Sequence, residues 1–493
     1  MTLSQRIRIN TLWMLGGNVG QNILAFLAGI ILARLLAPAD FGMLVTIQIF
    51  TGAAGLIAAG GMGVALIQAR DLKENDANVV FSVQSGICLI IFLIFYGIAP
   101  FFAQWFDDSI YRDMLRVSAL TFLIRPLSNI PSALLTRAQR LKEVAIVRML
   151  TLIVSSSASI YLAYIGWQTW SLIFGGLIGA SFQALALMIA SGWRPGYTYD
   201  RDSATQLGWF GVKFATIDIV MYTRKQLENL ITSYQLGAQQ VGLLNKGSSL
   251  SELPTKIVVS SAYQTLFRAL SSLQDNKNQS LYLFQKALVL MQCVSWPCYL
   301  GLAWVAEPFV LLVYGEKWLF CVPPLQIFCI AALLHTPSMY SGAVVAAQNQ
   351  LGKEVPIQIE ATCIKLIAVL IGVQWGILGV AFAMLPSMAY LSFRMGLLAC
   401  RSLGCSIGIM FRAMVPAIVM NLLMLAALTL SDMVITDHRS WTYLLLTSVW
   451  GALVYGAIFM LAPVPEIREE KQRVIDQVRK KIGLHPSASK DVD

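Results

Sequence analysis

Charge is scarce in this chain. Asp, Glu, Lys and Arg make up 13% of its 493 residues, about half the share of a soluble globular domain. A soluble fold needs a charged skin, so the shortage excludes a water-soluble enzyme or a disordered protein. Histidine is nearly absent, with three residues. The eight cysteines form no Cys-x-x-Cys pair and have no histidine cluster beside them. They read as small buried hydrophobes, not as metal ligands or disulfides. There is no P-loop, no G-x-S-x-G, no H-E-x-x-H and no pair of loop carboxylates placed for acid–base work. Neither an enzyme nor a cofactor is expected. No polar stretch is long enough for a soluble domain.

Apolar residues fill the space that charge leaves. They are 57% of the chain, and the mean hydropathy is +0.67. That composition predicts an all-α polytopic membrane protein. A span needs about twenty mostly apolar residues. About fourteen segments qualify, near 11–34, 41–67, 79–104, 114–136, 144–165, 168–191, 207–233, 238–265, 281–305, 320–347, 356–375, 377–400, 410–430 and 441–462. The seventh and eighth carry several charges; without them twelve remain. The first follows Arg6 and Arg8 and is too long for a signal-peptide core, so it is expected to stay as a span.

The formal charge is +10. It is scattered through short loops, which argues against nucleic acid. With both termini placed inside, the inner ends collect 23 Lys and Arg and the outer ends 5. That asymmetry predicts cytoplasmic termini. Trp13, Trp105, Trp167, Trp170, Trp193, Trp209, Trp318, Trp375 and Trp441 fall near span ends, where amphipathic rings prefer to sit. In the tail, Ile467, Val474, Ile475, Val478 and Ile482 recur at helical spacing among basic residues. That pattern predicts a short helix lying on an anionic leaflet.

The sequence also repeats. ARLLAPADFGMLV (33–45) returns as SYQLGAQQVGLLN (233–245), with Leu36, Gly42 and Leu44 aligned to Leu236, Gly242 and Leu244. IAPFFAQWF (98–106) resembles AEPFVLLVYG (306–315). Ala138-Gln139 and Ala347-Gln348 each precede a Leu and a Lys. Six spans separate the copies, so the halves run parallel. The expected layout is an N-terminal bundle (1–191), a linker (192–206), a second bundle (207–400), two extra spans (401–462) and a basic tail (463–493). Parallel bundles suggest a central cavity and alternating access. Gly16-x-x-x-Gly20 and Gly175-x-x-x-Gly179 permit close helix packing. Pro126, Pro131, Pro254, Pro297, Pro337 and Pro386 can kink spans.

The most informative residues are charges at membrane depth. Each costs roughly 2.5–3.5 kcal/mol at a helix centre. The seventh span carries Lys213, Asp218, Arg224, Lys225 and Glu228; the eighth carries Lys246, Glu252 and Lys256. Arg125, Arg148, Glu360 and Lys365 lie in other spans. Helical spacing offers Arg224–Glu228 and Asp218–Lys225 as internal pairs. The balance is eight positive to four negative, and a surplus of cation suits an anionic cargo. Arg125, Lys213, Arg224, Lys225 and Lys246 are the expected cargo ligands. Asp218, Glu228, Glu252 and Glu360 are the candidates for coupling to an ion. Snorkelling accounts for Arg148 and Lys256. His335 reads as a packed, neutral side chain. Asn18, Gln21 and Asn22 share one face of the first span.

The segments ARLLAPADFGMLV, LTRAQRLK (135–142), RALSSLQDN (268–276) and LLVYGEKW (311–318) resemble those of bacterial polysaccharide repeat-unit flippases of the O-antigen and colanic-acid type. These belong to the multidrug/oligosaccharidyl-lipid/polysaccharide exporter superfamily. The resemblance implies two helical bundles around a cationic cavity. It also implies movement of undecaprenyl-pyrophosphate-linked oligosaccharides across the inner membrane, alongside a polysaccharide polymerase and a chain-length regulator as partners. A cation-coupled drug exporter is the alternative, although the first span lacks the carboxylate such cargo favours. A non-transporting scaffold of the glycan-assembly complex is a third reading.

Overall fold

The computed structural model describes residues 20–68, 75–274, 276–433, 435, 437–468, 471–472 and 476. The side chains of 202–203, 206–217, 257–258, 260–262 and 467 are outside that description. Arg6, Arg8, Trp13, Gly16 and Asn18 lie outside the described residues, as does most of the expected tail helix.

The described residues are helical nearly throughout. The helices are α1 (Gly20–Leu35), α2 (Pro38–Ala59), α3 (Met62–Gln68), α4 (Asp76–Trp105), α5 (Ile110–Arg137), α6 (Leu141–Tyr164) and α7 (Gln168–Ser191). Then come α8 (Arg201–Ser251), α9 (Ser260–Ser272), α10 (Lys277–Trp304), α11 (Ala306–Val313) and α12 (Val322–Ala347). The last are α13 (Leu351–Gly372), α14 (Gly376–Phe382), α15 (Met384–Leu403), α16 (Gly408–Asp432) and α17 (Trp441–Leu461). Among the described residues, nine helical stretches are long and apolar enough to cross a membrane. Large apolar side chains face outward, among them Leu93, Phe101, Ile189 and Leu453. In water that surface would be unstable; in lipid it is the expected skin. The chain is a multi-pass membrane protein.

Local chemistry sets the breaks. Pro38 opens α2, where a missing N–H costs nothing. Asp40 accepts the Ala37 N–H at 2.8 Å, and the Thr169 hydroxyl donates to its other oxygen at 2.6 Å. A buried carboxylate is thereby satisfied. Gly60 and Gly61, both with positive φ, end α2 and start α3 inside one expected span. The polar stretch 192–206 is non-helical only to Asp200, and α8 begins at Arg201.

Two compact units divide at Asn245 and Lys246. In the first unit, Gly175 and Gly179 of α7 meet Ser159 and Ser155 of α6, the close approach expected of that glycine pair. In the second, Phe284, Leu288, Tyr340, Val344, Met395 and Met420 are buried in one core. Pro126, Pro131, Pro297 and Pro337 lie inside helices, and Pro254 precedes a π-helical turn at Thr255–Val259.

The repeat is written in the backbone. The helix breaks at Ala37 and again at Gly237. Positive φ angles then pair in order: Asp107 with Gly315, Gln139 with Asn349, Gly166 with Gly376, and Gly192 with Gly404. The turns after α5 and α12 close with the same hydrogen bonds, Arg140 N–H to Leu135 C=O and Gln350 N–H to Val345 C=O. This corrects the alignment by one residue. Gln139 corresponds to Asn349, not Gln348, because the left-handed position anchors the turn.

Candidate functional site

Of the first-unit charges expected at membrane depth, Arg125 lies on α5, Arg148 on α6 and the others on α8. The Tyr222 hydroxyl donates to the Gln48 carbonyl at 2.6 Å and lies over Gly52, docking α8 against α2. Arg224 and Glu228, a turn apart, are half-buried, while Asp218 and Lys225 are exposed. The Lys213 side chain lies outside the described residues.

Arg125 has a task within the protein. Its guanidinium donates to the Gly55 carbonyl near the end of α2. Gln84 donates to the Ala58 and Ala59 carbonyls at 3.1 and 3.3 Å. Twelve residues beyond Arg125, Arg137 donates to the Leu66 carbonyl of α3 at 2.8 Å. A span broken at membrane depth exposes carbonyls that lipid cannot satisfy. Here two arginines of α5 and a glutamine of α4 serve both pieces, and the positive charge of the arginines suits helix C-termini.

In the second unit, the Lys246 ammonium sits 4.0 Å from the Tyr314 ring centre and 5.1 Å from that of Trp318. Both rings are buried, so Trp318 is not the interfacial ring that its place near a span end suggested. Cation–π attraction holds the lysine there. Glu252 pairs with Lys256 at 3.1 Å. Glu360 pairs with Arg394 at 3.1 Å and accepts the Tyr390 hydroxyl. Arg394 lies inside α15 as a partner for an acid on α13. Lys365 is 4% exposed, the most deeply buried lysine described. Arg148 is exposed, as snorkelling requires.

An apolar cavity of about 540 Å³ lies between α10, α16 and α17. Cys293, Pro297, Gly301, Leu428, Gly451 and Tyr455 line it. Beyond α17, Lys471 donates to the Ala462 carbonyl, and burial holds its ammonium below the ordinary lysine pKa.

The sequence missed Arg137, Gln84, Tyr390 and the Arg394 pair. Arg394 carried a signal, being a lone charge within an apolar segment that follows a segment with a lone acid. Gln84 carried none.

The profile of the family described as polysaccharide biosynthesis protein matches residues 31–323. The chain belongs to that family. An uncharacterized membrane protein in the cps region of Klebsiella pneumoniae is 23% identical over 96% of this chain and 98% of its own. Lipopolysaccharide biosynthesis protein WzxC of Escherichia coli K12 is 21% identical over 72% of this chain and 73% of its own. Among solved structures, the lipid II flippase MurJ in an inward closed conformation superposes with a TM-score of 0.73. That match covers 96% of this chain and 99% of MurJ at 15% identity. This member of the polysaccharide biosynthesis family therefore has a fold of the MurJ kind, extending past the family segment through the C-terminal helices.

Proposed function

We infer that the protein is a flippase for lipid-linked oligosaccharides used in surface polysaccharide synthesis. One observation carries the reading: a polysaccharide biosynthesis family member has a fold shared, over nearly its whole length, with a lipid flippase. In this reading the membrane is the cytoplasmic membrane, and the 23-to-5 distribution of Lys and Arg supports cytoplasmic termini. Lys213, Arg224 and Lys225 supply positive charge at bilayer depth for the cargo phosphate. Arg125 and Lys246 are engaged with the Gly55 carbonyl and with Tyr314 and Trp318, and add to the field while holding structure. Asp218, Glu228, Glu252 and Glu360 are the groups through which an ion could couple, with Glu252 and Glu360 already bound to cations of the protein. The apolar cavity beside α17 fits the chain of the lipid carrier rather than its headgroup. A polymerase and a chain-length regulator are the partners that would take the cargo on.

The test is a strain lacking this gene. Surface polysaccharide should disappear and lipid-linked units accumulate on the cytoplasmic leaflet, both reversed by the plasmid-borne gene. Intact polysaccharide with altered drug sensitivity would favour an exporter. Lost polysaccharide without accumulation on that leaflet would favour a scaffold.

A further inference from the structure

The two copies of the first repeat motif touch each other. Both lie in the first unit, around the breaks at Ala37 and Gly237. A Cβ on Gly42 would overlap the Ala238 carbonyl, and a Cβ on Gly242 would overlap the Pro38 carbonyl. The repeat aligns Gly42 with Gly242 and Pro38 with Ala238, so each contact is the image of the other. The Gly242 Cβ would also stand 3.1 Å from the Gly42 nitrogen. Such a reciprocal approach of backbone to backbone is open only to glycine.

A polar latch lies beside the glycines. Thr46 and Ser233 are buried, and their hydroxyls hydrogen-bond to each other. Thr46 gives its single proton to the Gly42 carbonyl at 2.9 Å. The proton between the hydroxyls therefore comes from Ser233. Next in sequence, Tyr234 packs against Trp105, with ring centres 5.7 Å apart. The contact continues along α2 through the Tyr222 hydroxyl on the Gln48 carbonyl and over Gly52. Two turns, two hydroxyl hydrogen bonds and one ring contact hold it, each able to re-form after parting, as a gate requires.

We propose that these paired turns are the outer seal of the transport path. They close the exit in this state and separate to release cargo, with Thr46 and Ser233 as the latch. The proposal rests on the flippase reading and on the orientation given above, which places both turns on the side away from the cytoplasm.

A Thr46→Cys plus Ser233→Cys variant of the full chain tests it in cells lacking the native gene. Oxidation should form an intramolecular crosslink, seen as a shift in gel mobility. Surface polysaccharide should then fall several-fold and return when dithiothreitol opens the bond. A crosslink that leaves polysaccharide export intact would overturn the seal and spare the flippase reading. No crosslink under any oxidant would remove the contact itself. Failure of the wild-type gene to restore polysaccharide would remove the flippase reading, and the seal with it. A second variant avoids the disulfide. Gly242→Ala must push the Pro38 carbonyl away, so it should raise labelling of a single Thr46→Cys by a membrane-impermeant maleimide. Unchanged labelling in well-expressed protein would contradict the seal.

Discussion

The Arg394 guanidinium and the Glu360 carboxylate stand 3.1 Å apart and join α15 to α13. Tyr390 completes a triangle. Its hydroxyl donates to Glu360 and accepts from Arg394 at 2.8 Å. Each charge answers the other, so removing one strands its partner at membrane depth.

That triangle predicts coupling. Glu360→Gln and Arg394→Gln should each lower the melting temperature in detergent, and the double variant should lose less than their sum. Because the two side chains are 43% and 37% exposed, the coupling should be only about 1 kcal/mol. Strict additivity in the double-mutant cycle would show that the pair contributes nothing.

Arg125→Ala should leave the end of α2 short of a donor and cost about 1–3 kcal/mol, the penalty for an unmet buried acceptor. Its melting temperature should drop whether or not cargo is present. Full stability with lost transport would instead make Arg125 a cargo ligand alone.

Much of this architecture was legible from composition and spacing. The apolar segments and the break at Gly237, between the seventh and eighth expected spans, follow from residues that lipid or a tight turn demands. The repeat's register was off by one at Gln139, because the motif Ala-Gln matched while the left-handed turn position did not. The site was less legible. Spacing sorted charges along a single helix, but Arg394 on Glu360 and Lys246 over Tyr314 and Trp318 are contacts between segments distant in sequence. Arg125 was read as surplus cation because nothing in a linear pattern reveals a backbone carbonyl that needs a donor.

The glycines give contrasting expectations. Gly179→Leu must displace Ser155, a clash of the overpacking kind that costs about 1–3 kcal/mol. Gly20→Ala meets nothing within 4 Å among the described residues and should be neutral or slightly stabilising. Thermal unfolding of the two purified variants distinguishes them; equal effects would contradict the packing described.

Lys246→Met should lose its attraction to the two rings, at most about 2 kcal/mol at a desolvated site. In a Trp318→Leu, Tyr314→Leu background the same change should cost little more. A full additional loss there, read from melting temperatures, would place the worth of Lys246 elsewhere.

The most direct measurement is translocation in vesicles. Purified protein in liposomes should move a fluorescent lipid-linked oligosaccharide between leaflets, where empty liposomes do not. A folded Lys213→Ala, Arg224→Ala, Lys225→Ala variant should be several-fold slower. Transport by that variant at the wild-type rate would contradict the claim that these cations handle the phosphate, and absence of transport by the wild type would contradict the flippase itself.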